Sequence, residues 1–131
     1  MRKIKIVVIL ALAVVLAVSC KSKSEVYSKP ETVMEKFVTA FVTADFETMY
    51  KFSVPRDAAL IRNIQKYMRN NPERLKQMNA FKVEIQETTC KYYNDTTALC
   101  KCKYLCDKQK KTAEFKVKKQ GDKWLVDMAE D

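Results

Sequence analysis

The side chains able to do chemistry are few and mostly gathered in one stretch. Of the five cysteines, Cys90, Cys100, Cys102 and Cys106 lie close together, while Cys20 stands alone near the start. The chain has no histidine and a single glycine, Gly121. Imidazole-based acid, base or nucleophile activation is therefore absent, and so are glycine-rich phosphate loops. Glu87 is the one acid with a distinctive place. Strand parity sets it on the face of Val83 and Ile85, where an apolar cone would raise its pKa and make it a general base. The plainer reading is a wet carboxylate at a frayed or bulged strand edge, because no second inward acid, serine or histidine accompanies it.

Four thiols allow three complete pairings, and an oxidising compartment would permit any of them. Cys100 and Cys102 lie on one strand face about 7 Å apart, too far to bond each other without distortion. Cys90 has the opposite parity to Cys100 in the simplest register. A bulge within Thr88-Thr89-Cys90-Lys91 would bring the two together, so a Cys90–Cys100 bridge is the first expectation. A zinc site is the functional alternative, but closed zinc sites use close pairs on turns, and Cys102 and Cys106 sit on a strand. No metal or cofactor is expected.

Cys20 ends a different kind of segment. Arg2, Lys3 and Lys5 precede an uncharged apolar run from Ile6 to Val18, then Ser19 and Cys20. This is the order of a secretory signal. The run falls short of the about 20 apolar residues that a spanning helix needs. The residues Leu16-Ala17-Val18-Ser19-Cys20 resemble the lipobox of bacterial lipoproteins. That resemblance implies cleavage before Cys20, lipidation of its thiol by diacylglycerol and palmitate-like chains, and a place in the bacterial cell envelope; the lack of an acidic cluster after Cys20 points to a periplasm-facing position rather than surface display. Each buried methylene contributes about 0.8 kcal/mol, so three acyl chains make a durable anchor. Loss of residues 1–19 removes three of the 25 basic residues and none of the 16 acidic ones, leaving a basic domain. Such a charge suits anionic headgroups or acidic glycans as well as plain solubility, and nucleic acid is not an expected partner outside the cytoplasm.

Residues 20–29 read as the lipidated cysteine and a flexible polar tether, and residues 30–131 as one domain. Ser28 and Glu31 form a possible capping box, with Pro30 in the first turn of a helix near 30–43. Val33, Met34, Phe37, Val38, Phe41 and Val42 make its apolar stripe. Asp45 can cap a short second helix carrying Phe46, Met49 and Tyr50. A third, about 56–69, offers Leu60, Ile61, Ile64, Tyr67 and Met68 to the core, and a short fourth carries Leu75 and Met78 towards Phe81. Beyond Phe81 the period becomes two. Four antiparallel strands follow, joined at Asn94-Asp95, at Asp107 to Lys111 and at Gln120-Gly121. Inner positions are Ala98, Cys100, Cys102 and Tyr104, then Ala113, Phe115 and Val117, then Trp124, Val126 and Met128. Helices first and strands second predict an α+β fold, with N-terminal helices packed on a curved four-stranded antiparallel sheet.

The segment from Pro30-Glu31-Thr32-Val33 to Phe37, with Ala44-Asp45-Phe46-Glu47, resembles the opening of small bacterial lipoproteins with a nuclear transport factor 2-like, or cystatin-like, domain. The closing Val117 to Val126, with Gly121 and Trp124, is similar to that family's last hairpin. The resemblance implies a cone whose concave side is filled by helices and whose mouth holds any ligand; it supplies a fold and a pocket but no reaction.

Phe37, Phe41, Tyr92, Tyr93, Tyr104 and Trp124 are the candidates to line or plug that mouth. Tyr92 and Tyr93, read as lying at a turn, are the better candidates for exposure, while Tyr104 and Trp124 fall on the core period. Lys101, Lys103, Lys116, Lys118 and Lys123 crowd the outer sheet face, partly balanced by Glu84, Glu114 and Asp127. Leu99, Leu105 and Leu125 there offer a face for a homodimer or protein partner, against the simpler reading of a solvated face. The expected function is a membrane-anchored, non-catalytic domain binding a small ligand or a protein. The alternatives are an enzyme acting on a small hydrophobic substrate in the cone, or a scaffolding subunit.

Overall fold

In a computed structural model of the chain, residues 25–128 are described; residues 1–24, including the expected signal segment and Cys20, lie outside them. Helix α1 is Pro30–Thr43, α2 is Phe46–Lys51, a 3-10 turn spans Pro55–Asp57, α3 is Ala58–Arg69 and α4 is Pro72–Asn79. Strands β1 (Val83–Asn94), β2 (Thr97–Cys106), β3 (Gln109–Gln120) and β4 (Lys123–Asp127) form one antiparallel sheet in chain order. This is the expected α+β architecture.

Helix α1 lies across the concave face and touches all four strands. Val33, Met34, Phe37 and Val38 are completely buried against Ala98, Cys100, Cys102, Val117 and Val126. Pro30 opens the helix, where a missing N–H costs nothing. The expected Ser28–Glu31 capping box is not formed: Lys29 is the N-cap, and the Ser28 hydroxyl donates to the Glu25 carbonyl at 2.7 Å instead. Part of the expected tether also belongs to the domain. Val26 and Tyr27 pack on the core, Tyr27 stacks on Phe52 at 5.2 Å, and its carbonyl accepts from the Trp124 N–H at 2.9 Å. The apolar surface of these two side chains gives the segment a reason to dock.

The C-terminus of α1 closes without glycine. Ala44 sits at φ 56°, and the N–H groups of Ala44 and Asp45 bond the carbonyls of Phe41 and Ala40. This is the paired pattern of a Schellman end. Asp45 then caps α2 as expected, accepting from the Thr48 backbone N–H at 3.3 Å and its hydroxyl at 2.7 Å.

The third helix departs from its expected burial. Only Ile61 is fully buried, whereas Leu60 is 38% and Tyr67 62% exposed. The cause is placement: α3 packs on α2, α4 and the 3-10 turn, so just one edge of its apolar stripe meets the core.

Turns set the registers. Asp107 (φ 48°) and Lys108 (φ 71°) form a two-residue loop, tighter than expected, in the double-positive geometry that matches strand twist. Gly121, at φ 65°, turns β3 into β4. The β1–β2 pairing shifts at the far end of β1, between Tyr92 and Asn94, and earlier between Ile85 and Glu87. Before this earlier bulge Ile85 faces Tyr104; beyond it Thr88, Cys90 and Tyr92 oppose Cys102, Cys100 and Ala98. The extra residue inverts the parity of β1 from Glu87 to Tyr92.

Candidate functional site

The bulge decides the fate of two sequence candidates at once. It brings Cys90 onto the inner face opposite Cys100, where the two are joined in a disulfide with Cα atoms 4.0 Å apart. The bulge lies just before the stretch in which it was expected. By the same shift Glu87 is turned outward. Its side chain is 59% exposed, and Oε2 lies 3.8 Å from Lys103 Nζ. Glu87 is thus a solvated acid on the convex face and is corrected as a candidate base in the cone.

Cys102 and Cys106 remain as thiols. Cys102 is fully buried and accepts from the Thr88 hydroxyl at 3.6 Å. Burial pushes its pKa up, the Thr88 hydrogen bond acts against this, and the nearby Glu35 charge adds to the rise. A buried, protonated thiol is a core residue rather than a nucleophile. With Cys90 and Cys100 committed to each other, the four cysteines cannot close a zinc site. Among the described residues no cluster of histidine, cysteine and acidic side chains is arranged to hold a metal ion.

The aromatic candidates divide between core and surface. Phe37 and Trp124 are interior, and Phe37 makes an edge contact with Phe115 at 5.3 Å. Both Phe37 and Trp124 belong to the core cluster and fill the interior between α1 and the sheet. Tyr92 and Tyr93 lie within β1 rather than at a turn, and are 53% and 56% exposed. Tyr92 leans edge-on against Trp124 at 5.8 Å, whereas Tyr93 is on the outer face beneath the Lys116 ammonium at 5.9 Å. These two tyrosines do not form a common mouth because neighbours on a strand point to opposite sides.

Phe41 and Tyr104, by contrast, meet at the wide end. There a cleft of about 460 Å³ opens between the end of α1, helix α4 and the β2–β3 loop. Phe41, Val42, Met78, Phe81 and Tyr104 provide its apolar walls, and Cys106 lies within it. Phe41 is held by edge contact with Phe115 at 5.7 Å. Burial, with the neighbouring Cys106 and Cys102, raises the Tyr104 pKa, so its phenol stays neutral and able to donate. Arg74 from α4 and Lys111 from β3 add two cations. The Asp107 carboxylate also borders the cleft, but its Oδ1 accepts the Lys82 backbone N–H at 2.9 Å, an arrangement that fixes the loop.

Arg74, Lys111, Met78 and Phe81 did not stand out as site residues in the sequence. Lys111 had a usable signal: it shares strand parity with Ala113 and Phe115, and it pairs with Tyr104. Treating Asp107 to Lys111 wholly as a turn concealed that parity.

A second polar cluster lies away from the cleft. Asp127, 1% exposed, receives Arg56 Nε at 3.2 Å, Arg56 Nη2 at 2.6 Å and Lys118 Nζ at 3.0 Å. Asp57, also buried, accepts the Met128 N–H at 2.7 Å. These bonds clasp the start of α3 to the end of β4. Ser53 lies alongside Val126, and backbone hydrogen bonds from Val54 to Val126 and from Val126 to Phe52 cover the outer edge of β4.

No family model and no curated protein matches the chain. A crystal structure at 2.00 Å of a candidate NTF2-like transpeptidase from Campylobacter jejuni superposes with a TM-score of 0.56 and 19% identity, covering 77% of this chain and 99% of that one. The fold is nuclear transport factor 2-like. At that identity the likeness concerns architecture alone. In this fold α1 side chains pack the sheet's inner face at depth, and a cleft opens at the Phe41–Tyr104 end.

Proposed function

We propose that the chain is a lipid-anchored lipoprotein of the bacterial cell envelope, facing the periplasm, whose domain binds a small ligand at the wide end of its cone without catalysing a reaction. The observation that carries the binding reading is the cleft. It has apolar walls, a few polar groups at the rim and a volume in the range of small-molecule sites. The anchoring reading rests on the basic start, the short apolar run and the Cys20 motif. It is compatible with the described residues, in which no helix is long and apolar enough to cross a membrane.

The transpeptidase activity in the neighbour's name is a weaker reading for this chain. Acyl transfer needs an activated nucleophile. Cys106 is the thiol at the cleft, and the chain contains no histidine to activate it. The scaffolding reading draws on Leu99, Leu105 and Leu125, but on the same sheet face the exposed Glu87 already pairs with Lys103. Such pairing suits a solvated face.

Two variants test the proposal. Cys20→Ser should move the protein from the membrane to the soluble fraction of the envelope. Phe81→Arg should fill the cleft and abolish retention of a non-covalent small molecule that co-purifies with the wild type. Unchanged membrane association of C20S, or no co-purifying molecule on the wild-type protein, would contradict the respective half.

A further inference from the structure

We infer that the wide-end cleft selects a single-chain anionic amphiphile, an acyl chain bearing one carboxylate or phosphate. This inference rests on the reading of that cleft as a binding site and specifies what it takes. The walls formed by Phe41, Met78, Phe81 and Tyr104 offer a surface suited to methylene groups. The charges decide the head group. Neither Arg74 nor Lys111 has an ion-pair partner among the described residues. Asp107, the lining carboxylate, is tied to a backbone N–H by its Oδ1. Two uncommitted cations therefore outweigh one anion at an apolar cleft, and they sit on different elements, α4 and β3, so that a head group between them is approached from two sides.

The cations are solvent-exposed, so each contributes modestly, at most about 1 kcal/mol to an anion. Together they amount to about a tenfold preference for an anionic over an uncharged amphiphile of equal chain length. The preference must weaken as salt is raised, because exposed charges are screened.

Cys106 supplies a reporter in the cleft itself. It is half-buried there, whereas Cys102 is buried and Cys90 and Cys100 are disulfide-bonded. Alkylation of Cys106 by N-ethylmaleimide, followed by peptide mass spectrometry, reads occupancy in the full-length protein held in nanodiscs of zwitterionic lipid. Dodecanoate, dodecanol and dodecyltrimethylammonium are added below their micelle concentrations. A further set of nanodiscs carries a lysophosphatidylglycerol, which separates a membrane-borne from a free source.

At ten times the Kd of dodecanoate, alkylation should slow about tenfold, since the free fraction falls by that factor. At the same concentration, which is about one Kd for the about tenfold weaker alcohol, dodecanol should slow it about twofold and the cation less. The double variant Arg74→Glu, Lys111→Glu should reverse the order and favour the cation. Both positions are exposed, so the fold should tolerate the change, and an unaltered melting temperature checks this. Protection by only dodecanoate or only the lysolipid assigns the source and keeps the inference. Equal protection by all three probes, or an unchanged order in the double variant, overturns the inference and leaves a cleft that binds without charge selection. No protection by any probe overturns the binding reading itself.

Discussion

Replacing Asp127 by asparagine keeps its shape and removes its charge, which isolates what the clasp between Arg56, Lys118 and Asp127 contributes. The wild-type carboxylate is 1% exposed and holds contacts at 2.6 and 3.0 Å to two cations. Hydrogen bonds to charged groups are worth about 1.5–3 kcal/mol each. A discount is needed because the Arg56 and Lys118 side chains are 53% and 34% exposed and recover water when released. A net loss of about 2 kcal/mol follows, which for a domain near 100 residues lowers Tm by about 8–16 °C. The pH dependence has a definite sign. Burial pushes the Asp127 carboxyl up, but the Arg56 and Lys118 hydrogen bonds and charges outweigh it and hold the carboxyl below its ordinary value. A depressed folded-state pKa stabilises above the unfolded value near 3.9, and that contribution disappears as pH falls through the folded one. Urea titrations of wild type and Asp127→Asn from pH 7 to pH 3 should therefore show a gap that is full at neutral pH and narrows on acidification. Equal stability at pH 7, or a gap that stays constant down to pH 3, would mean that the Asp127 charge does not hold the clasp.

Three further outcomes are expected. Thiol titration of the denatured protein, with Cys20 counted separately, should find only Cys102 and Cys106 before reduction and all four domain cysteines after it; removing the bridge by Cys90→Ser with Cys100→Ser should cost about 2.5–3 kcal/mol in chemical denaturation, the chain-entropy value for a loop of this size. Ala44→Gly should raise stability by about 1 kcal/mol in the same assay, because glycine adopts the left-handed end of α1 without the strain that a Cβ brings. Glu87→Gln should change stability by less than about 0.5 kcal/mol and leave cleft binding intact, as expected for an exposed ion pair on the opposite face.

Much of the domain was legible because its core obeys simple periods. The boundaries of α1 follow from Pro30 and the Val33, Met34, Phe37, Val38 stripe, and β2, β3 and β4 present the inner residues that alternation assigns. What escaped the pattern has identifiable physical causes. A residue inserted between Ile85 and Glu87 reverses the side chains of β1 from Glu87 to Tyr92, so Glu87 turned out and Cys90 turned in. An amphipathic stripe states that a helix has an apolar side, not how much of it finds a neighbour, which is why α3 leaves Leu60 and Tyr67 uncovered. The Asp127 clasp joins residues distant in sequence, and nothing local to Arg56 announces it. The cleft gathers α1, α4 and the β2–β3 hairpin, so its lining could be recognised only after those elements were placed.

The proposed protein is a fat-bearing Cys20 joined to a domain whose open end holds a small molecule. Mass spectrometry of the protein extracted from its native membrane, under gentle and then denaturing conditions, examines both parts together. The predicted result is a chain beginning at Cys20 with a covalent acyl-glyceryl mass that persists on denaturation, plus a smaller adduct that is lost. A chain retaining residues 1–19, with no covalent lipid and no releasable adduct, would contradict it.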